Sequence, residues 1–215
     1  MRSLPGEERR APAGAEAGRA VRSPRERILT AVAEISARDG YQALTREKIA
    51  GTARVSHSTF RELFGDKEEA FSAVQREIVE QAEQALAEVP ADLAWPERIR
   101  AGVEALLGLA AEDPELARAF LAESRPAGPR ATAFHDESLA RLVPALREGR
   151  KLESAPDELP ERMEEGIIGG AAWHLSERLD RAAPDEVREL GPDLVAIVLS
   201  PYIGKREAAE VAGGS

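Results

Sequence analysis

Apolar residues recur at helical spacing along most of this chain, and no stretch alternates at the two-residue period of a strand. The first stripe, Ile28, Leu29, Val32 and Ile35, follows Ser23-Pro24-Arg25-Glu26. Ser23 is an N-cap, Pro24 takes the first helical position and Glu26 closes a capping box; Gly40 marks the end. Two shorter patterns come next. One runs from about Thr45 to Ala53 with Ile49 and Ala50 inward. The other runs from about His57 to Phe64 with Phe60, Leu63 and Phe64 at i, i+3 and i+4. Only Arg54-Val55-Ser56 separates them. Two short helices meeting at a tight joint predict a helix-turn-helix, whose second helix enters the DNA major groove.

Beyond this the pattern stays helical. Asp66 and Glu69 form a second capping box and open a helix from about Lys67 to Glu88, with Phe71, Val74, Ile78, Ala82 and Leu86 on one face. Pro96 starts another that reaches about Ala111, and Asp113-Pro114 a short one carrying Leu116, Phe120 and Leu121. A helix over Ala131 to Gly149 contains Pro144, which predicts a kink. Helices from about Pro160 to Arg181 and from Pro184 to Ile203 follow, the last bent or divided at Gly191-Pro192. The expected fold is all-α, about nine helices: a three-helix head over residues 23–70 and a helical body over 71–204. Residues 1–22, rich in Arg, Ala, Gly, Glu and Pro, are expected to be a disordered basic arm, and 205–215 a frayed tail.

The polar residues of the head suit a phosphate backbone and base edges. Thr45 and Ser56 stand where N-caps belong. Helix N-termini offer free N–H groups and partial positive charge. His57, Ser58, Thr59 and Arg61 crowd the start of the second short helix, and Lys67 stands in the first turn of the next. Arg25 and Arg27 lie in the first turn of the first helix, against its dipole, a conflict that a nearby phosphate relieves. The expected DNA-contacting set is Arg25, Thr45, Arg46, Ser56, His57, Ser58, Thr59, Arg61 and Lys67.

In this region the chain resembles the TetR family of bacterial transcriptional regulators. The resemblance begins at Arg25-Glu26-Arg27-Ile28-Leu29, passes Arg38-Asp39-Gly40-Tyr41 and ends near Lys67-Glu68-Glu69-Ala70-Phe71, about 50 residues. Four positions depart from the family pattern. Arg54 stands where the turn usually has glycine, Arg61 where tyrosine is common, His57 where lysine is frequent, and Ser36 where an aromatic is usual. The resemblance implies a repressor that binds a pseudo-palindromic operator and leaves it when a small-molecule effector enters the body. It also implies a homodimer joined through the last two helices.

Charge changes the picture in the same direction. The whole chain carries −10, which argues against a nucleic-acid partner until it is divided. Residues 1–67 hold 13 Lys/Arg against 9 Asp/Glu, a net of +4; the rest hold 16 against 30, a net of −14. A basic head on an acidic body suits a protein that meets double-stranded DNA with one end. There is no Cys, and His57, His135 and His174 lack metal-ligand spacing. No phosphate-cradling Gly loop or nucleophile–base pairing is recognisable, so neither an enzyme nor a cofactor is expected. With no long apolar run and no signal-like N-terminus, the expectation is a cytoplasmic protein without a membrane partner. The alternative function is a helical interaction module of the same fold that lacks sequence-specific DNA binding, with Arg54 and Arg61 as signs of drift.

Two features of the body point to partners. Gly166, Gly169, Gly170, Ala171 and Ala172 gather small side chains in one helix, and Leu194, Val195, Ile197, Val198, Tyr202 and Ile203 make the final helix nearly all apolar. Such a helix needs cover on more than one side. The expected dimer interface is Gly166, Gly169, Gly170, Val195, Val198 and Tyr202. Trp95, Leu107, Phe120, Phe134, Met163, Trp173 and His174 are the candidates for lining an effector cavity, the alternative being that they fill the core. The expected effector is apolar or aromatic.

Overall fold

The computed structural model describes residues 22–181 and 184–213; the expected basic arm over 1–22 lies almost wholly outside them. Among the described residues there are helices, turns and loops but no strand, and no helix is long and apolar enough to cross a membrane.

The head is built by local signals. α1 (Pro24–Asp39) begins with the expected capping box: Ser23 Oγ accepts from the Glu26 N–H, and Glu26 Oε2 accepts from the Ser23 N–H. It ends at Gly40, whose φ of 82° falls in the region that glycine adopts without strain. A single 3-10 turn, Tyr41–Ala43, leads to α2 (Arg46–Ala53) and α3 (His57–Leu63). α4 (Lys67–Ala87) starts at Asp66, whose Oδ1 accepts from the Glu69 N–H at 2.8 Å. The return bond of that box is displaced by one residue, because Glu69 Oε2 accepts from Gly65 rather than from Asp66.

The body consists of α5 (Trp95–Glu112), α6 (Pro114–Glu123), α7 (Pro129–Ala140), α8 (Val143–Arg147), α9 (Met163–Leu179), α10 (Pro184–Arg188) and α11 (Gly191–Gly213). The helix expected over 131–149 is two helices rather than one kinked rod. Pro144 sits in the first turn of α8, the place where its missing N–H costs nothing. The frayed tail expected from residue 205 is instead helical. Gly204, at φ 77°, bends α11, and Ala208 beyond the bend is fully buried against the body.

Three apolar clusters hold the chain together. The first joins α1, α2 and α3 to α4, α6 and the start of α7, so head and body share one core. Phe60, Phe64, Ile49 and Tyr41 belong to it; Leu63, expected inward, is 39% exposed because only one side of a helix this short faces the core. The second joins the start of α5 to α8, α9 and α11, and the third joins the end of α5 to α6, α9, α10 and the start of α11.

The second cluster contains one tight polar unit. Trp95 packs edge-on against Tyr202, with ring centroids 4.9 Å apart, and donates from Nε1 to the Ala145 carbonyl at 2.8 Å. Gly149 passes so close that a Cβ there would lie 2.5 Å from the Trp95 ring. Tyr202 donates to Glu164 Oε1 at 3.1 Å, and Arg150 grips both oxygens of Glu164 at 2.7 and 2.9 Å. Arg150 also donates to the Leu159 and Pro160 carbonyls, closing the loop between α8 and α9.

Candidate nucleic-acid interface

α2 and α3 meet at a turn that the sequence specifies residue by residue. Thr45 caps α2 by accepting from the Lys48 N–H at 3.1 Å. At the other end of α2, Arg54 adopts φ 52° and ψ 48°, the left-handed conformation that usually requires glycine. The Val55 N–H then turns back to the Ala50 carbonyl at 3.0 Å, and Val55 packs against the first cluster. Arg27, on α1, donates from Nε to the Ala53 carbonyl at 3.0 Å and from Nη1 to Arg22 at 3.1 Å. The conflict of Arg27 with the α1 dipole therefore finds its answer inside the chain: this guanidinium caps the C-terminus of α2.

Ser56 opens α3. Its Oγ accepts from the Thr59 N–H at 3.0 Å and lies 2.7 and 2.8 Å from the hydroxyls of Ser58 and Thr59. These bonds pre-set the first turn of the helix. Phe60 is buried beneath it, while His57, Ser58 and Arg61 are exposed. His57 and Arg61 are four residues apart and Ser58 and Arg61 three, so they share one face.

The remaining basic residues gather at the far end of α3. Arg25 lies over the Phe64 ring at 6.0 Å, and Arg46 donates to the Gly65 carbonyl at 3.2 Å. Lys67 stands 4.6 Å over the Tyr41 ring, partly shielded from solvent. Burial pushes the Tyr41 hydroxyl up to about 12, helped by Glu68, so this ring stays neutral and keeps its electron-rich face for Lys67. Lys48 pairs with Asp39 at 2.7 Å, tying α2 to the end of α1; the Arg38 and Lys48 bonds hold the Asp39 carboxyl well below the usual carboxylate range. The result is a fixed polar face on α3 flanked by guanidinium and ammonium groups.

No family model matches the chain, and no curated protein matches it. Solved structures do. FadR, a fatty acid degradation regulator from Bacillus halodurans, is 20% identical; the match covers 89% of this chain and 95% of that one, with a TM-score of 0.69. A regulatory protein of the TetR family from Rhodococcus RHA1 is 20% identical over 84% of this chain and 97% of its own, with a TM-score of 0.68. FadR from Bacillus subtilis, solved with stearoyl-CoA, is 20% identical over 81% and 97%, with a TM-score of 0.65. The chain has the TetR-regulator fold.

The body residues chosen from sequence are placed differently from one another. Trp95 and Met163 meet in the second cluster, Leu107 is in the third, and Phe120 and Phe134 are in the first. They fall in three different apolar clusters. Trp173 is 59% exposed and packs edge-on against the equally outward His174. Of the expected dimer residues, Gly166, Gly169 and Gly170 are exposed, and a Cβ on any of them would meet nothing within 4 Å. Val195, Val198 and Tyr202 are not on that surface. They are buried against α5, α8 and α9 of their own chain, because that side of α11 supplies the second cluster. The apolar residue that α11 leaves outside is Ile197, at 47% exposure, which sequence periodicity could not separate from its neighbours.

Proposed function

We propose that this protein is a DNA-binding transcriptional regulator, a homodimeric repressor released from a pseudo-palindromic operator by a small-molecule effector. The observation that carries the reading is the exposed His57, Ser58 and Arg61 face of α3, held by a capped turn and flanked by Arg25, Arg46 and Lys67. A face so placed offers base-edge contacts from α3 and phosphate contacts from its surroundings. The N-termini of α2 and α3 add oriented N–H groups.

Assembly follows from α9. Gly166, Gly169, Gly170 and Trp173 recur at spacings of three and four, so they form one stripe of small residues ending in an exposed indole. Ile197 of α11 is exposed as well, and a second copy of the chain related by a two-fold axis would cover the stripe. A dimer of this kind presents two copies of α3 to successive major grooves. The stearoyl-CoA bound to the Bacillus subtilis FadR supports an effector with a large apolar part.

The test is duplex binding at several salt concentrations with mixed-sequence DNA. Affinity is expected to fall steeply between 50 and 200 mM salt, by roughly tenfold or more, as phosphate contacts release counterions. Absence of duplex binding at low salt would reject the reading and favour a helical interaction module.

A further inference from the structure

Among the described residues Arg54 is the one non-glycine residue with positive φ. At φ 52° and ψ 48° its Cβ crowds the backbone, a strain that glycine does not carry. A residue persists in such a conformation where something else offsets it. The turn itself does not need this side chain. The Arg54 N–H donates to the Gly51 carbonyl at 3.2 Å and the Val55 N–H to the Ala50 carbonyl at 3.0 Å, bonds that a glycine at 54 would leave in place. The Ala53 carbonyl already has Arg27. The Arg54 side chain is exposed and makes no hydrogen bond or ion pair among the described residues.

The other guanidinium groups beside the turn are engaged. Arg27 spans the Ala53 and Arg22 carbonyls, which sets the start of α1 next to the turn. Arg22 donates from Nη1 to Thr30 Oγ1 at 3.2 Å. Between Gly51 and Phe60 the sequence has no Lys or Arg other than Arg54.

The place of Arg54 relative to α3 indicates its partner. Ser56, two residues on, caps α3, and the exposed face of His57, Ser58 and Arg61 starts directly after it. Arg25, Arg46 and Lys67 gather at the other end, over Phe64, Gly65 and Tyr41. α3 has seven residues, so it is about 10 Å long, close to the major-groove width of about 12 Å. A helix seated there brings its two ends toward the phosphates of the two strands. One end has three cations beside it; the other has Arg54. We infer that Arg54 binds a DNA phosphate at the N-terminal end of α3, on the strand opposite the one met by Arg25, Arg46 and Lys67. That bond offsets the strain of its backbone. Arg54 stands outside α3, at the rim of the groove, so its planar fork meets backbone oxygens and not base edges. The inference rests on the DNA-binding reading above. The competing role is local: a cation facing the negative end of the α2 dipole.

The test measures affinity of the full chain for mixed-sequence duplex against salt concentration. Wild type is compared with Arg54→Gly, Arg54→Lys and Arg206→Ala, a remote charge on α11 whose side chain is 93% exposed. Arg54→Gly is expected to bind roughly tenfold more weakly at about 100 mM salt and to lower the slope of log affinity against log salt by about 0.9 for each bound head. It should melt no lower than wild type, so the loss is not one of folding. Arg54→Lys keeps the charge and should keep the slope, and Arg206→Ala should change neither slope nor affinity. With wild type bound, an unchanged slope in Arg54→Gly would overturn the inference alone, as would an equal fall in Arg206→Ala. A lower melting temperature in Arg54→Gly with its slope unchanged would assign the charge to the α2 dipole instead. Absence of wild-type binding at low salt would overturn the inference together with the reading beneath it.

Discussion

Arg27 on α1 donates to the Ala53 carbonyl at the end of α2, 3.0 Å away and 26 residues along the chain. The bond falls on the last helical residue before Arg54, the one non-glycine residue with positive φ among the described residues. One arginine therefore steadies a turn that another arginine strains. Arg27→Ala is expected to destabilise the head by about 1–2 kcal/mol, the cost of losing a charge-assisted bond to a helix end. Hydrogen exchange should show it as lost protection in α2 and the turn. Unchanged protection there would mean that the bond contributes nothing.

Arg54→Gly should act in the opposite sense. Releasing a non-glycine residue from the left-handed region gains about 1 kcal/mol, somewhat offset by the freedom that glycine gains in the unfolded chain. For a chain of this size the melting temperature should rise by roughly 1–3 °C. A fall would show that the Arg54 side chain makes contacts that outweigh its backbone strain.

The α9 surface and the α11 core respond to different substitutions. Gly170→Leu and Trp173→Glu change exposed positions, so they should leave helicity and melting nearly unchanged and convert a dimer to monomer in sedimentation velocity. Val198→Asp buries a charge without a partner in the second cluster and should unfold the chain instead. A wild-type monomer at micromolar concentration would rule out the proposed assembly.

Glu164 links stability to pH. Hydrogen bonds from Arg150, with a further one from Tyr202, hold its carboxyl below the usual carboxylate range. Its folded pKa is below its unfolded value, so its contribution is complete above about pH 5 and is lost as pH falls through the folded value. Burial, with the same contact to Glu164, pushes the Tyr202 hydroxyl well up, so it stays a donor throughout. Glu164→Gln should destabilise at pH 7, on the order of 1–3 kcal/mol, and should flatten the loss of stability between pH 5 and 3. An unchanged acid profile in this variant would remove Glu164 from the account.

The head was legible in the sequence because its signals are local. Ser23, Gly40, Thr45, Ser56 and Asp66 each act within four residues of themselves, and each stands at a helix end in the structure. The body was legible only as helices. Which side of α11 is outside depends on what packs against Val195, Val198 and Tyr202, and those contacts come from α5, α8 and α9 far away in the chain. Helical spacing made all of them equally apolar. Trp173 read as a pocket residue for the same reason: composition marks a large aromatic but not the direction it faces. Gln75 interrupts the stripe of Phe71, Val74 and Ile78, a polar residue at a core position of α4 whose partners, Ser124 and Ala131, lie 49 and 56 residues further along the chain.

In the proposed function the exposed face of α3 reads DNA. Selection of bound duplexes from a random pool, with wild type and Arg61→Ala side by side, tests it most directly. Wild type should recover two inverted half-sites spaced for successive major grooves. Arg61→Ala should recover the same spacing with preference relaxed at one position in each half-site, a loss of about 1–3 kcal/mol there. A pool without any enriched motif, or identical motifs from both proteins, would contradict the claim.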